Sequence, residues 1–199
     1  METMKRKIIR RSIFLIAVLV LIVYTFNSTD YFFTEHKAIR NSLPYIDGQV
    51  VYAKDFENKK TIIWKSDNSY YLKLVKHKVG IFYHVSQVAE LRPMSPLIGE
   101  IGDFERTWSA SLNSDNIYET IFAIKANNPD IKKVIISNDD IDDTISENLN
   151  EIKENSTIYI ELNLTDGIAA YYKELNSNEV RGFIFRGMSD NGEIIVLGR

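Results

Sequence analysis

The chain has 199 residues, 24 basic and 27 acidic side chains, a formal net charge of −3 and no cysteine. The missing cysteine excludes disulfides, thiolate metal sites, cysteine nucleophiles and a lipid carried on a lipobox cysteine. Five basic residues, Lys5, Arg6, Lys7, Arg10 and Arg11, crowd the first eleven positions against Glu2 alone, so the remainder is acidic and carries no basic stripe for nucleic acid.

Residues 1–11 read as a basic cytoplasmic tail. After them, IFLIAVLVLIVYTF over residues 13–26 is fourteen residues without a charge. At ~1.5 Å per residue the run covers ~21 Å of a hydrocarbon core about 30 Å thick, a length that suits a cleaved signal as well as a span. The flank separates the two. A cleavage site needs small residues one and three positions before the cut, whereas YTFNSTDYFF follows here. Tyr24, Phe26, Tyr31, Phe32 and Phe33 resemble an interfacial aromatic belt, and Ser12, Thr25 and the uncharged residues to Thr29 extend the helix. The run is apolar all round, unlike a helix lying on a globular body. The expectation is an uncleaved transmembrane helix over residues 12–33 with the bilayer as its partner. By the positive-inside rule, Lys5, Arg6, Lys7, Arg10 and Arg11 hold the N-terminus in the cytoplasm and the rest outside.

Residues 34–47 (TEHKAIRNSLPYID) have weak helical character up to Pro44 and read as a linker to an extracytoplasmic β domain over 48–199. From Gly48 the apolar period is two. Residues 50–53 and 61–64 flank the polar loop DFENKK as in a hairpin, and residues 69–76 and 79–85 form a second hairpin. Residues 86–106 (SQVAELRPMSPLIGEIGDFER) carry two prolines and two glycines and no period, which fits a long loop or a sub-boundary.

Strands follow at 108–112, 119–126, 132–137, 157–164, 167–175, 181–188 and 193–197. Asn-Asn-Pro-Asp marks the turn after residue 126, Asp166-Gly167 another, and Asp190-Asn191-Gly192 a closing hairpin. Ile141, Ile145, Leu149 and Ile152 recur at helical spacing. The fold class is therefore mainly β with some α: an antiparallel, sandwich-like exterior domain with one short helix, preceded by the transmembrane helix.

Four groups of residues could carry chemistry. Asp140, Asp142, Thr144 and Glu151 mimic the spacing of a calcium loop, but Ile145 stands where a glycine is required. The aspartates of this run read better as caps on the Ile141 helix. Glu100, Asp103 and Glu105 in a glycine-bounded loop offer carboxylates for hydrolysis, with Trp108 as a stacking platform; the plainer reading is a solvated connector and a core tryptophan. His36, His77 and His84 lack zinc-site spacing, and neither a nucleophile elbow nor a phosphate-binding loop occurs. These signals name no cofactor and no metal ligand. Finally, aromatics crowd the first two hairpins. Tyr71, Phe82 and His84 form a partner surface if one sheet face is open, or core if that sheet packs on the second half.

Residues 118–138 (YETIFAIKANNPDIKKVIISN) and 181–199 (RGFIFRGMSDNGEIIVLGR) resemble the exterior halves of small membrane-anchored proteins of Bacillus-type bacteria. In those, a strand leading to an asparagine–proline turn and then Ile-Lys-Lys-Val pairs with a closing D-x-x-G-x-I-I hairpin. The resemblance implies a β-sandwich-like domain outside a Gram-positive membrane and assigns no functional residue.

Three functional readings follow. The first is a non-enzymatic binding module at the outer face of the cell membrane, meeting a protein or envelope partner. The others are an accessory subunit of a membrane complex and a cell-envelope hydrolase using the loop carboxylates.

Overall fold

Period-two alternation after Gly48 resolves into thirteen strands among the described residues, which in this computed structural model are 2–27, 30–44, 47–78, 82–139, 145–180 and 182–199. In chain order the elements are α1 (Glu2–Asn27), α2 (Glu35–Arg40), β1 (Gln49–Phe56), β2 (Lys59–Ser66), β3 (Ser69–Lys78), β4 (Phe82–Glu90), β5 (Arg92–Pro93) and β6 (Pro96–Ile98). They continue with β7 (Phe104–Leu112), β8 (Tyr118–Ala126), β9 (Lys133–Ser137), α3 (Leu149–Asn155), β10 (Tyr159–Asn163), β11 (Ile168–Leu175), β12 (Ile184–Met188) and β13 (Ile194–Gly198).

The strands form three antiparallel sheets. The first has the order β1-β2-β3-β4, the middle one β11-β8-β7-β5 and the third β10-β9-β12-β13-β6. The expectation of a mainly β, antiparallel protein with a short helix holds.

β8 decides how these sheets share their cores. Successive side chains on a strand point to opposite faces, so Ile121 and Ala123 join Ile63, Leu72, Leu74 and Ala170 against the first sheet. Phe122 and Ile124 join Val134, Ile136, Phe183, Phe185 and Val196 against the third. A strand covered on both faces reads as an unbroken apolar run, which Ile121-Phe122-Ala123-Ile124 is. A smaller cluster, Ile39, Ile62, Trp64 and Val75, lies under α2 on the outer face of the first sheet.

The stretch 86–106 connects all three sheets. β4 runs through it to Glu90, β5 pairs with β7 in the middle sheet, and β6 pairs with β13 in the third. Leu91 enters the core between the first and middle sheets and Met94 the core between the middle and third. Its period is broken because each short piece pairs with a different sheet.

Local turn chemistry sets the hairpins. β1 and β2 are joined by Glu57-Asn58 alone, with Glu57 at a φ of 50°, so most of the expected DFENKK loop is strand, paired as far as Phe56 with Lys59. The closing β12–β13 hairpin forms as expected and requires a glycine at 187: a Cβ there would stand 2.6 Å from Val196 Cγ1. β9 pairs with β12, joining the Ile131-Lys132-Lys133-Val134 strand to that hairpin. The Asn-Asn-Pro-Asp turn, in contrast, carries the chain from the middle sheet to the third.

The helix expected from Ile141 is shorter than its stripe. α3 begins at Leu149, capped by the Asn148 side chain, which accepts from the Asn150 N–H at 3.0 Å, and only Ile152 of the stripe is buried in it. Ile145 precedes the helix in irregular chain, and residues 140–144 lie outside the described set. Asp139 is bound by a buried arginine, as set out below.

α1 is helical from Glu2, so the basic stretch belongs to the helix, with Lys7, Arg10 and Arg11 exposed. Ile13, Phe14, Leu15, Ile16, Val20, Leu21 and Tyr24 are each more than half exposed. Among the described residues no helix is long and apolar enough to cross a membrane. The run expected to do so includes Leu19, Ile22, Val23, Thr25 and Phe26, whose side chains lie outside the described ones, as do Lys5, Arg6 and residues 28–29.

Candidate interaction surface

The first sheet presents its outer face and its β4 edge to the stretch that follows α1. Phe32 bridges to Tyr83 through two reciprocal backbone hydrogen bonds of 2.8 Å, adding one residue to the edge. Thr34 caps α2, whose Glu35 pairs with Lys60 at 2.8 Å and whose Ala38 and Ile39 are buried. Residues 30–44 are thus a clasp folded onto the sheet. Its buried contacts, unlike exposed ion pairs, fix it in place.

That clasp reaches the three aromatic candidates differently. Tyr71 packs beside Ile39, Trp64 and Val75 on the outer face. Phe82 and His84 pair across with Lys78 and Lys76, on the opposite face from Tyr71. An extra residue in β4, where the register shifts between Leu74 and Val75, moves them there. The Phe82 ring lies 5.3 Å from Phe33, and His84 lies 5.0 Å from Tyr31 with Nδ1 3.0 Å from the Asp30 carbonyl oxygen. The structure brings Phe82 and His84 together and leaves Tyr71 apart.

Beneath α2 lies a residue that strand alternation alone would assign to solvent. Lys73 is fully buried, and its Nζ donates to Ile39 O at 3.0 Å and to Ser42 Oγ at 2.8 Å, over the Trp64 ring at 5.3 Å. The last carbonyls of a helix are unsatisfied and partly negative, which suits an ammonium group. With no carboxylate bonded to it among the described residues, burial pushes its pKa down from 10.5 to about 8. Between those values the unfolded chain holds a proton that the folded chain has released, so stability rises with pH across that window. Lys73→Met is expected to abolish that rise in the urea midpoint and to leave the protein at least as stable near neutral pH. A rise that persists in the variant would assign it to another group.

A charged joint ties the first sheet to the middle one. Lys59 Nζ lies 2.7 Å from Glu174 Oε1 and 3.2 Å from Glu119 Oε1 and donates to the Tyr172 hydroxyl, while Lys76 bonds the other oxygen of Glu119. Tyr172 in turn donates to Glu174 at 2.7 Å, and Gln87 Nε2 donates to the Glu119 carbonyl at 2.8 Å. Burial alone would lower the Lys59 pKa, but the bonds to Glu174, Tyr172 and Glu119 together raise it above the ordinary lysine value. Burial carries Tyr172 up to about 12. Both groups therefore hold their protons throughout the physiological range.

The third sheet has its own buried charge. Arg186 is fully buried; Nη1 and Nη2 donate to Asp139 at 3.0 and 2.7 Å, Nη1 also to Ser137 Oγ at 2.6 Å, and Nη2 to Ser146 O at 2.9 Å. This bidentate pair pins the chain on both sides of residues 140–144 to the sheet. An arginine between Phe185 and Gly187 in an apolar strand was the one sequence signal for it; the 47-residue separation from Asp139 hid the partner.

The carboxylate loop is dispersed. Glu105 pairs with Lys125 at 2.9 Å, the Asp103 carboxylate accepts from Asn128 Nδ2 at 3.2 Å, and Glu100 is exposed. Trp108 meets Phe183 edge-on at 5.0 Å beside the core. Among the described residues no group of three or more potential metal-ligating side chains converges. The strongly exposed apolar side chains near this loop are Leu97 and Ile101, and Leu97 borders a depression of about 470 Å³ together with Ser95, Ile145 and Arg199. Comparison of the chain with protein-family models, with curated proteins and with solved structures finds no match.

Proposed function

We propose that this chain is a single-pass, membrane-anchored module whose C-terminal β domain works outside the cytoplasmic membrane and binds a protein or envelope partner without chemistry of its own. The observation that carries the reading is α1: seven large side chains from Ile13 to Tyr24 stay more than half exposed, as a helix destined for lipid leaves them. The basic residues Lys5, Arg6, Lys7, Arg10 and Arg11 ahead of this run favour a cytoplasmic N-terminus. Two-sided burial of β8 supports a sandwich-like exterior domain, and the resemblance of residues 118–138 and 181–199 favours a Gram-positive envelope as its setting.

The non-enzymatic part of the reading has its own support. The buried pair of Arg186 with Asp139, and the half-buried Lys59 with buried Glu119 and exposed Glu174, join segments and sheets of the fold, and the loop carboxylates are dispersed. Exposed Leu97 and Ile101 give a partner an apolar landing face.

The test is fractionation of a Gram-positive host expressing the full chain with a C-terminal tag, followed by protease treatment of intact protoplasts and crosslinking. Full-length protein in the carbonate-washed membrane, degraded from outside, is the expected result. A shortened protein in the medium would overturn the anchor. Crosslinks unchanged by Leu97→Ser and Ile101→Ser would remove that face from the binding surface.

A further inference from the structure

The β3–β4 end of the first sheet is tied to α1 by a very short stretch of chain. Tyr31 is only four residues beyond Asn27, the last residue of α1. An extended chain reaches at most ~3.6 Å per residue, so Tyr31 lies within ~14 Å of the helix end. Tyr31, Phe32 and Phe33 do not stop there. They bind the β3–β4 hairpin through the Phe32–Tyr83 bridge, the Tyr31–His84 and Phe33–Phe82 ring contacts and the Lys78 Nζ to Tyr31 hydroxyl bond of 3.0 Å. Wherever α1 ends, this cluster is held within reach of that point.

We infer that Tyr31, Phe33, Phe82 and His84, with Lys78, are a footing that rests in the headgroup layer of the bilayer α1 enters, so that the β domain stands on the membrane in one orientation. The inference rests on the anchoring proposed above. Its chemistry fits that layer. Aromatic rings with a polar edge concentrate at headgroup depth, Phe33 is 61% exposed, and the Lys78 ammonium is exposed beside Tyr31, in reach of lipid phosphate. The headgroup region is roughly 5–8 Å deep on each side of the core, about half the full reach of the tether. Because the clasp is packed onto the sheet, the domain cannot move farther from the end of α1 than that tether allows without breaking the Phe32 bridge and uncovering Ile39. Ile101 lies beyond the other end of β7; Ser111, at the Glu119 level that Lys76 reaches, is separated from Phe104 by ~23 Å of strand.

The experiment uses the full chain in phosphatidylcholine–phosphatidylglycerol vesicles, with and without lipids brominated near the headgroup end of the acyl chain. Tryptophan is introduced by Phe33→Trp, Phe82→Trp or, as the distant site, Ile101→Trp. Emission added by Phe33→Trp and Phe82→Trp is expected to be largely lost in brominated vesicles and that added by Ile101→Trp retained. Alkaline carbonate extraction of the same vesicles reports α1 independently. Protein that resists extraction while both footing tryptophans stay bright overturns the footing and leaves the anchor standing. Protein stripped by carbonate overturns both. Equal loss at all three positions would mean the domain lies without a preferred orientation, which also overturns the footing.

Discussion

Asp139→Ala is expected to destabilise the protein by about 3–5 kcal/mol, because it leaves the guanidinium of a fully buried arginine without its counter-charge. The bond set explains the size. Asp139 accepts from both terminal nitrogens of Arg186 and from the Ser137 hydroxyl at 2.6 Å, so one truncation breaks three bonds in a site closed to water. Among the described residues the remaining acceptors, Ser137 Oγ and Ser146 O, are neutral and cannot balance a charge. The same reasoning gives the opposite expectation for the pair. Replacing both, Arg186→Met with Asp139→Ala, removes the burial cost of the charge together with its partner, and most of the lost stability should return. Urea unfolding of the two variants measures this. A single variant costing under about 1 kcal/mol would show that water reaches the arginine.

Phe122→Ala is the second large effect, at about 3–5 kcal/mol. Phe122 is fully buried on β8, its ring meets Phe183 edge-on at 4.9 Å, and its neighbours Ile121 and Ala123 face the other core. Truncation opens a cavity between the middle and third sheets that rigid strands on both sides cannot collapse to fill. Leu112→Ala, on the exposed end of β7, is the control and should change stability by under about 0.5 kcal/mol. Similar losses at the two positions would mean that β8 is not the strand both cores are built on.

The strands were legible because their signals are local. Period two, Asp190-Asn191-Gly192 and Asp166-Gly167 lie within a few residues of what they specify, and the structure keeps each of those strands to within a few residues. Loop lengths were less so. DFENKK looked polar enough for a loop, yet Glu57 and Asn58 suffice, because one residue at positive φ closes a two-residue turn while Lys59 and Lys60 continue the ladder. The Ile141 stripe does not make one helix, because the chain from Ile145 to Asn148 is irregular and the Asn148 side chain caps α3 just before Leu149.

The candidate surface divides along the same line. The aromatics around Phe82 were visible from composition alone, but their face was not, because one extra residue in β4 near Ser86 reverses the side on which every residue before it points. Lys73 sat in phase with a solvated face. Only α2, arriving from 34 residues earlier, turned that position into a buried one, and no periodicity within β3 carries that information.

By itself, then, the sequence determined an apolar helix behind a basic cluster, a chain of antiparallel strands with most of their turns, and a chain without cysteine chemistry. The tertiary structure alone decided which sheet each strand joins, that β8 serves two cores, and that Arg186 with Asp139 and Lys73 with the end of α2 lie out of water. The reason is range. Turn geometry and side-chain alternation act over two to ten residues and are written where they act, whereas burial depends on which distant segment arrives to cover a face.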